Sequence, residues 1–326
     1  MLHKIRGEQI SAVIDSLGAQ LMSIKKENTE YLWQGDAEYW GDRALTLFPY
    51  IARLTDGKYQ YQGREYKMDI HGFAKDSEFQ LIERKENEVI LEICDTPETK
   101  KCYPFSFRFQ VTYKIEGNRL SVSYRVENCQ EETMYFAVGG HPGFQVPIEK
   151  GLRFDQYRLR FPESEKITRI EFTPDCFLTG KESVWELEQG KIKKLQHSLF
   201  DQDAIVIKDS GNIVQLYAPD GKRSVTVEYP DMKYLGIWHT PGKEAPYVCL
   251  EPWSALPSRK GIIEDLATQP DLTALEGAGV YNNTWSIILE WIIPHETAIS
   301  IQPGCMLISK GFMRYFYLYK KCDIFM

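Results

Sequence analysis

Several things are scarce in this sequence of 326 residues. Positive charge is outnumbered: 39 lysines and arginines face 46 aspartates and glutamates, a formal net charge of −7. No basic stripe offsets that acidity, so a nucleic-acid partner is not expected. Long apolar runs are missing as well. No window approaches the roughly 20 residues of a membrane span, and Met1-Leu2-His3-Lys4-Ile5-Arg6 is not followed by an apolar stretch of signal-peptide length. The expectation is a cytoplasmic protein with no membrane partner. The cysteines at 94, 102, 129, 176, 249, 305 and 322 stand singly, with no CxxC pair and an odd total, which reads as reduced, mostly buried thiols. No Gly-rich phosphate loop, GxSxG elbow or HExxH pair is present. Helical periodicity is nearly absent, and the best short candidates are Asp36 to Trp40 and Gly261 to Ala267.

What is present is alternation with a period of two. Phe107, Phe109, Val111, Tyr113 and Ile115 alternate with polar residues, Glu116-Gly117-Asn118 turns the chain, and Leu120, Val122, Tyr124 and Val126 alternate back. That is a long antiparallel hairpin with one buried face. Glu88 to Ile93 and Ser224 to Tyr229 read as further strands, and turn signals recur at Tyr61-Gln62-Gly63-Arg64 and Pro219-Asp220-Gly221-Lys222. Many strands with few helices predict an all-β sandwich or barrel. Aromatic residues make up 13% of the chain, as suits a β-rich core, and flat aromatic faces also suit sugar rings. With no linker and no fixed-period repeat, residues 1–290 read as one domain. The tail 291–326 differs: it is aromatic and locally basic, and reads equally as extra strands, a dimer contact or an appendage.

Three residues in short strand-and-turn contexts can carry chemistry. His71 lies in Ile70-His71-Gly72-Phe73-Ala74, His141 in Gly139-Gly140-His141-Pro142-Gly143-Phe144, and Glu251 in Cys249-Leu250-Glu251-Pro252-Trp253. Both histidines sit against glycines, as loop residues facing a ligand would. Glu251 follows an apolar run and precedes a proline, as a carboxylate at a strand end would. A carboxylate that takes a proton and an imidazole that gives one suffice for acid–base chemistry near neutral pH. The plainer alternatives are a solvated edge glutamate and a core histidine bonded to backbone. Asp69 stands near enough in sequence to orient the His71 ring. Arg53 follows the apolar stretch Phe48 to Ala52, where an arginine is costly unless paired or lining a site. Asp201 and Asp203 head a strand, and alternation places them on one face. His71, His141 and Glu251 are also a possible zinc donor set, but nothing in their spacing calls for a metal, so neither metal nor cofactor is expected.

Taken together, these motifs resemble the aldose 1-epimerase (galactose mutarotase) family, in its LacX-like branch. The resemblance spans about residues 8 to 289 and rests on short motifs in a specific order. They include Gly18-Ala19-Gln20, Tyr31-Leu32-Trp33-Gln34-Gly35-Asp36, Trp40, Phe48-Pro49, Arg53-Leu54-Thr55-Asp56-Gly57, His71-Gly72-Phe73, His141-Pro142-Gly143-Phe144, Leu199-Phe200 with Asp203-Ala204, Gly236-Ile237-Trp238, Leu250-Glu251-Pro252-Trp253 and Asn283-Thr284-Trp285.

The resemblance implies a large antiparallel β-sandwich and an enzyme that interconverts the anomers of a hexose without a cofactor. It implies Glu251 as general base at the anomeric hydroxyl and His141 as general acid at the ring oxygen. His71 and Arg53 would then hold sugar oxygens, Asp203 (with Asp201 as fallback) would fix hydroxyls, and Trp238 would stack on the ring. Better known members carry Asn before the arginine, where this chain has Ala52, and a serine-type context after the second histidine, where it has Pro142. Two other functions fit the same residues: a hexose-phosphate mutarotase, with Arg43 or Lys75 supplying positive charge, and a non-catalytic carbohydrate-binding module. The protein would act as a monomer or homodimer.

Overall fold

The alternating segments form strands because one row of side chains can be buried while the other meets water. In a computed structural model, which describes residues 1–164 and 166–291, strands Phe107–Glu116 and Arg119–Asn128 pair antiparallel from Phe107↔Asn128 to Glu116↔Arg119. Every second residue of this hairpin is buried. It lies within a nine-stranded antiparallel sheet whose middle strand is Val280–Trp291. Trp291 therefore belongs to the sheet, and the rest of the expected tail lies outside the described residues.

A second, seven-stranded sheet runs in the order Leu178–Trp185, Ile167–Phe172, Ile205–Lys208, Tyr234–Trp238, Tyr247–Trp253, Gly139–Gln145 and Ala44–Leu47. The two sheets face each other, as expected for a large antiparallel β-sandwich. Phe48 stacks on Phe109 with ring centroids 4.4 Å apart, and Trp285 lies directly beneath Gly140. A Cβ at Gly140 would stand 2.4 Å from the Trp285 ring, so this close approach requires glycine. The Trp285 indole N–H donates to the Tyr124 hydroxyl (3.1 Å), which in turn donates to the Gly139 carbonyl (3.0 Å).

The three strands at the Ala44–Leu47 end of the seven-stranded sheet are covered on both faces. All of Tyr247–Trp253 and Ala44–Leu47 is buried, and so is Gly139–Gln145 up to its last residue. His141 is thus a strand residue and not, as expected, a loop residue, and Glu251 lies inside its strand rather than at its end. Both helix candidates fail. Asp36 to Trp40 is a single turn in which the Asp36 carboxylate accepts the Glu38 N–H (2.9 Å), and Gly261 to Ala267 contains the short strand Glu264–Asp265. The longest α-helix among the described residues is Thr99–Cys102, and none is long and apolar enough to cross a membrane.

Candidate active site

Strand register assembles the centre of the site. Gly139 pairs with Trp253 and Gly143 with Cys249, so His141 lies midway on its strand, against Glu251. His141 Nε2 is 3.3 Å from Glu251 Oε2, and the Trp253 indole N–H donates to the same oxygen at 3.2 Å. Glu251 is 1% exposed and His141 7%. Burial disfavours the charged form of each group. It raises the Glu251 carboxyl well above the usual carboxylate range, only partly offset by the Trp253 hydrogen bond. The same desolvation pushes the His141 imidazole down to about 4. Nδ1 of His141 is buried with no hydrogen-bond partner among the described residues.

His71 reaches the same place from a loop. Its backbone φ is +66°, and Gly72, at φ +73°, sits so close to the Phe48 carbonyl that a Cβ would lie 2.3 Å from the oxygen. The chain turns this tightly because only glycine fits there. The His71 N–H donates to the Ala52 carbonyl (3.0 Å), and the Ala52 N–H donates to His71 Nδ1 (3.1 Å). Backbone of Ala52, not Asp69, therefore orients the ring. Because Nδ1 accepts, the neutral ring carries its hydrogen on Nε2. Desolvation, helped by His141, Lys75 and Arg53, holds this imidazole well below its ordinary pKa. The His71 and His141 rings meet edge to face at 5.4 Å.

Around these groups lies a cavity of about 350 Å³, whose lining includes Arg53, Asp203 and Trp238. Arg53 Nη2 is 3.8 Å from Asp203 Oδ2. Asp201 is exposed and stands outside the lining. Its expected shared face with Asp203 fails because these residues form a turn rather than a strand: Asp203 has φ +69° and its N–H donates to the Phe200 carbonyl. Trp238 sits at the end of Tyr234–Trp238, and its ring meets that of Trp40 edge to face at 5.6 Å.

Three lining residues, Trp40, Trp253 and Cys176, carried no expected role. Trp40 lies 4.8 Å from His141 with its ring tilted by 34°; its local sequence gives no sign of this. Trp253 was findable, since it stands two residues from Glu251 and so on the same face of the strand. Cys176, in the turn at Thr173–Phe177, donates its S–H to Asp203 Oδ2 at 2.9 Å. Lys75 lines the cavity, paired with Asp76. Arg43 does not line it: this side chain donates to the Met22 carbonyl and to Gln34 Oε1. Donor atoms of His141, Cys249 and Glu251 all lie within 4.8 Å of one another, the one such three-residue group among the described residues.

Such an arrangement can pass protons to and from a polyhydroxylated molecule held between aromatic walls. Similarity to known proteins is consistent with that. A family model described as Aldose 1-epimerase matches residues 1–260. Protein LacX (chromosomal) of Lactococcus lactis subsp. lactis is 33% identical over 265 residues, covering 78% of this chain and 88% of LacX. The crystal structure of a galactose mutarotase related enzyme from Lactobacillus acidophilus has 31% identity and a TM-score of 0.85, covering 90% of this chain and 98% of that one. A galactose mutarotase-like protein from Lactobacillus casei has 30% identity and a TM-score of 0.84, covering 89% and 100%. With the family pattern running through most of the sandwich, the chain belongs to the aldose 1-epimerase family.

Proposed function

We propose that the protein is an aldose 1-epimerase that equilibrates the α and β anomers of a neutral hexose, with Glu251 and His141 as its acid–base pair. The observation that carries this reading is the 3.3 Å contact between His141 Nε2 and Glu251 Oε2 on the wall of a sugar-sized cavity. Two buried titratable groups in direct contact share one proton. With both desolvated, the proton rests on Glu251 and the pair is neutral. Hydroxyls of a bound sugar replace the missing solvation, so the proton can pass to His141 without exchange with bulk water. The Glu251 carboxylate then removes the anomeric hydroxyl proton while His141 protonates the ring oxygen, and the ring opens to the aldehyde. Rotation about C1–C2 and closure from the other face yield the other anomer, with the two groups exchanging roles.

His71 Nε2–H and Arg53 donate to sugar oxygens and stabilise charge developing on the ring oxygen. The free oxygen of Asp203 accepts from hydroxyls, and Trp238 with Trp40 supplies apolar faces for the C–H side of the ring. A phosphorylated substrate needs surplus positive charge. Here Lys75 is paired with Asp76 and Arg53 stands beside Asp203, so the cavity favours an uncharged sugar.

Polarimetry of freshly dissolved α-D-glucose and α-D-galactose tests the proposal. Wild type is expected to speed equilibration, and Glu251→Gln and His141→Ala to lose the effect. A sugar that perturbs tryptophan fluorescence while its anomers equilibrate no faster would make the protein a binding module instead. Acceleration confined to a hexose phosphate would overturn the neutral substrate.

A further inference from the structure

Cys249 takes no part in the proposed reaction, yet it stands beside the pair that does. It lies two residues before Glu251 on Tyr247–Trp253, so its side chain shares that residue's face. Gly143 is its partner across the ladder, and a Cβ there would be 3.4 Å from Cys249 Sγ. The thiol is free and fully buried. One nitrogen of His141, the sulfur of Cys249 and one oxygen of Glu251 thus form a triangle with no side longer than 4.8 Å. A point equidistant from its corners lies within about 2.8 Å of each, against typical zinc distances of about 2.0–2.3 Å. Contraction by less than about 1 Å would therefore complete three bonds. His141 Nδ1 has no hydrogen-bond partner among the described residues, so the ring can shift toward an ion bound at Nε2 without breaking a hydrogen bond on that edge.

We propose that His141, Cys249 and Glu251 bind a thiophilic divalent cation, Zn²⁺ in the first instance, and that the bound ion switches off the acid–base pair. Charge supports a divalent ion. Binding releases the Cys249 thiol proton and the proton shared by Glu251 and His141, both to solvent. A Zn²⁺ ion with one thiolate, one carboxylate and a neutral imidazole then leaves the buried site neutral, as it was before. Bonds from zinc to sulfur, nitrogen and oxygen replace bonds to water. The mixed set suits Zn²⁺, Co²⁺ or Cd²⁺ and disfavours Mg²⁺ and Ca²⁺, which want oxygen ligands. The inhibition rests on the epimerase reading, but the binding does not.

Co²⁺ is the direct probe, added to the full chain in a non-chelating buffer. Wild type is expected to develop the near-ultraviolet band of a cobalt–thiolate bond, reversed by EDTA, and Cys249→Ala to lack it. Exposed Cys94 and Cys129 are unchanged in that variant and serve as the internal control. In parallel, Zn²⁺ is expected to slow wild-type mutarotation, while Cys249→Ala keeps its basal rate. The variant should need at least about tenfold more zinc, since loss of even an outer partner typically costs 10–100-fold in metal affinity. Cys249→Ser, which retains the volume, replaces the alanine variant if that one melts early. No cobalt–thiolate band in wild type, or equal zinc sensitivity with and without Cys249, overturns the site. A band in wild type together with no mutarotation of any sugar leaves the site standing and removes the proposed activity.

Discussion

Two buried glutamates at opposite ends of this fold's logic are worth setting side by side. Glu251 in the cavity is 1% exposed and Glu264, on the flank beside Tyr59–Gln60, is 3%. Burial alone should raise both carboxyls. Glu264 escapes because Arg259 holds it with three hydrogen bonds: from Nε (2.9 Å), from Nη2 (2.7 Å) and from the backbone N–H (3.0 Å). Its carboxyl consequently lies below the usual range, despite its desolvation. Among the described residues Glu251 has only an indole N–H and an imidazole, and it is driven up. Two carboxylates of similarly small exposure thus have opposite fates: Glu251 is the more deeply desolvated and comes with no cation, while Glu264 comes with Arg259. A fully compensated carboxylate is a fastener, whereas an uncompensated one can exchange a proton.

Exchanging each for glutamine should separate these roles, and this is the largest effect expected. Glu251→Gln should lose about 10²–10⁴-fold in mutarotation rate, the usual worth of one acid or base, while its melting temperature stays level or rises. Glu264→Gln should keep the rate and melt earlier, by about 2 kcal/mol, because hydrogen bonds to a charged group contribute about 1.5–3 kcal/mol and glutamine keeps only some of them. Equal loss of activity in both would mean that Glu251 acts through the fold and not on the sugar.

The response of stability to pH sharpens the contrast next. Glu264 has a depressed folded pKa, so its stabilisation is complete above about pH 4.3, the unfolded value, and is lost as pH falls through the lower folded value. For Glu251 the folded pKa is raised, so stability is present below about pH 4.3 and is lost as pH rises through the folded value. Histidines add a third trend. His141 and His239 are both held near 4 by burial, and His71 well below its ordinary value. Between about pH 6.5 and 4 the unfolded chain binds protons that these rings refuse, so stability falls with acid by up to about 1.4 kcal/mol per pH unit for each. Glu251 opposes that slope. Glu251→Gln should therefore steepen it by up to about 1.4 kcal/mol per unit, whereas Glu264→Gln should leave it unchanged above pH 4.3 and flatten the profile only below. Denaturant melts across pH would expose a wrong sign directly.

How far the sequence reveals this depends on which sheet is read. The nine-stranded sheet has one face buried and one wet where Phe107–Glu116 and Arg119–Asn128 cross it, so period-two alternation shows and even the turn at Gly117-Asn118 is legible. The strands that carry the site are covered on both faces, and Tyr247–Trp253 shows no alternation at all; a single carboxylate in an otherwise apolar strand is the only local sign of function there. Positive-φ positions hide further parts. Neither the His71 turn nor the Asp203 turn follows from strand alternation, and the Ala52 amide that orients His71 leaves no mark in the side-chain pattern. The helix candidates fail because Asp36 and Asp265 use their carboxylates to cap turns, at Glu38 and Ala267 respectively.

The smallest expected effect concerns how the cavity's other carboxylate is held. Asp203 resembles neither glutamate: it is part exposed, and its Oδ2 meets a distant guanidinium at 3.8 Å and the Cys176 thiol at 2.9 Å. Burial, then the Asp203 carboxylate, pushes the Cys176 thiol up to about 12, so it stays a protonated donor at every working pH. With Oδ2 occupied, the contact to sugar hydroxyls proposed for Asp203 falls to Oδ1. Cys176→Ala should release the carboxylate and cost about 1 kcal/mol, the net worth of one ordinary hydrogen bond. That loss would appear as a KM about fivefold higher with kcat little changed, because the bond is the same in ground and transition states. Cys176→Ser, which keeps an O–H donor, should restore most of the affinity. A fall in kcat with KM unchanged would instead tie Cys176 to the His141–Glu251 pair, and no change in either would leave the positioning of Asp203 to Arg53.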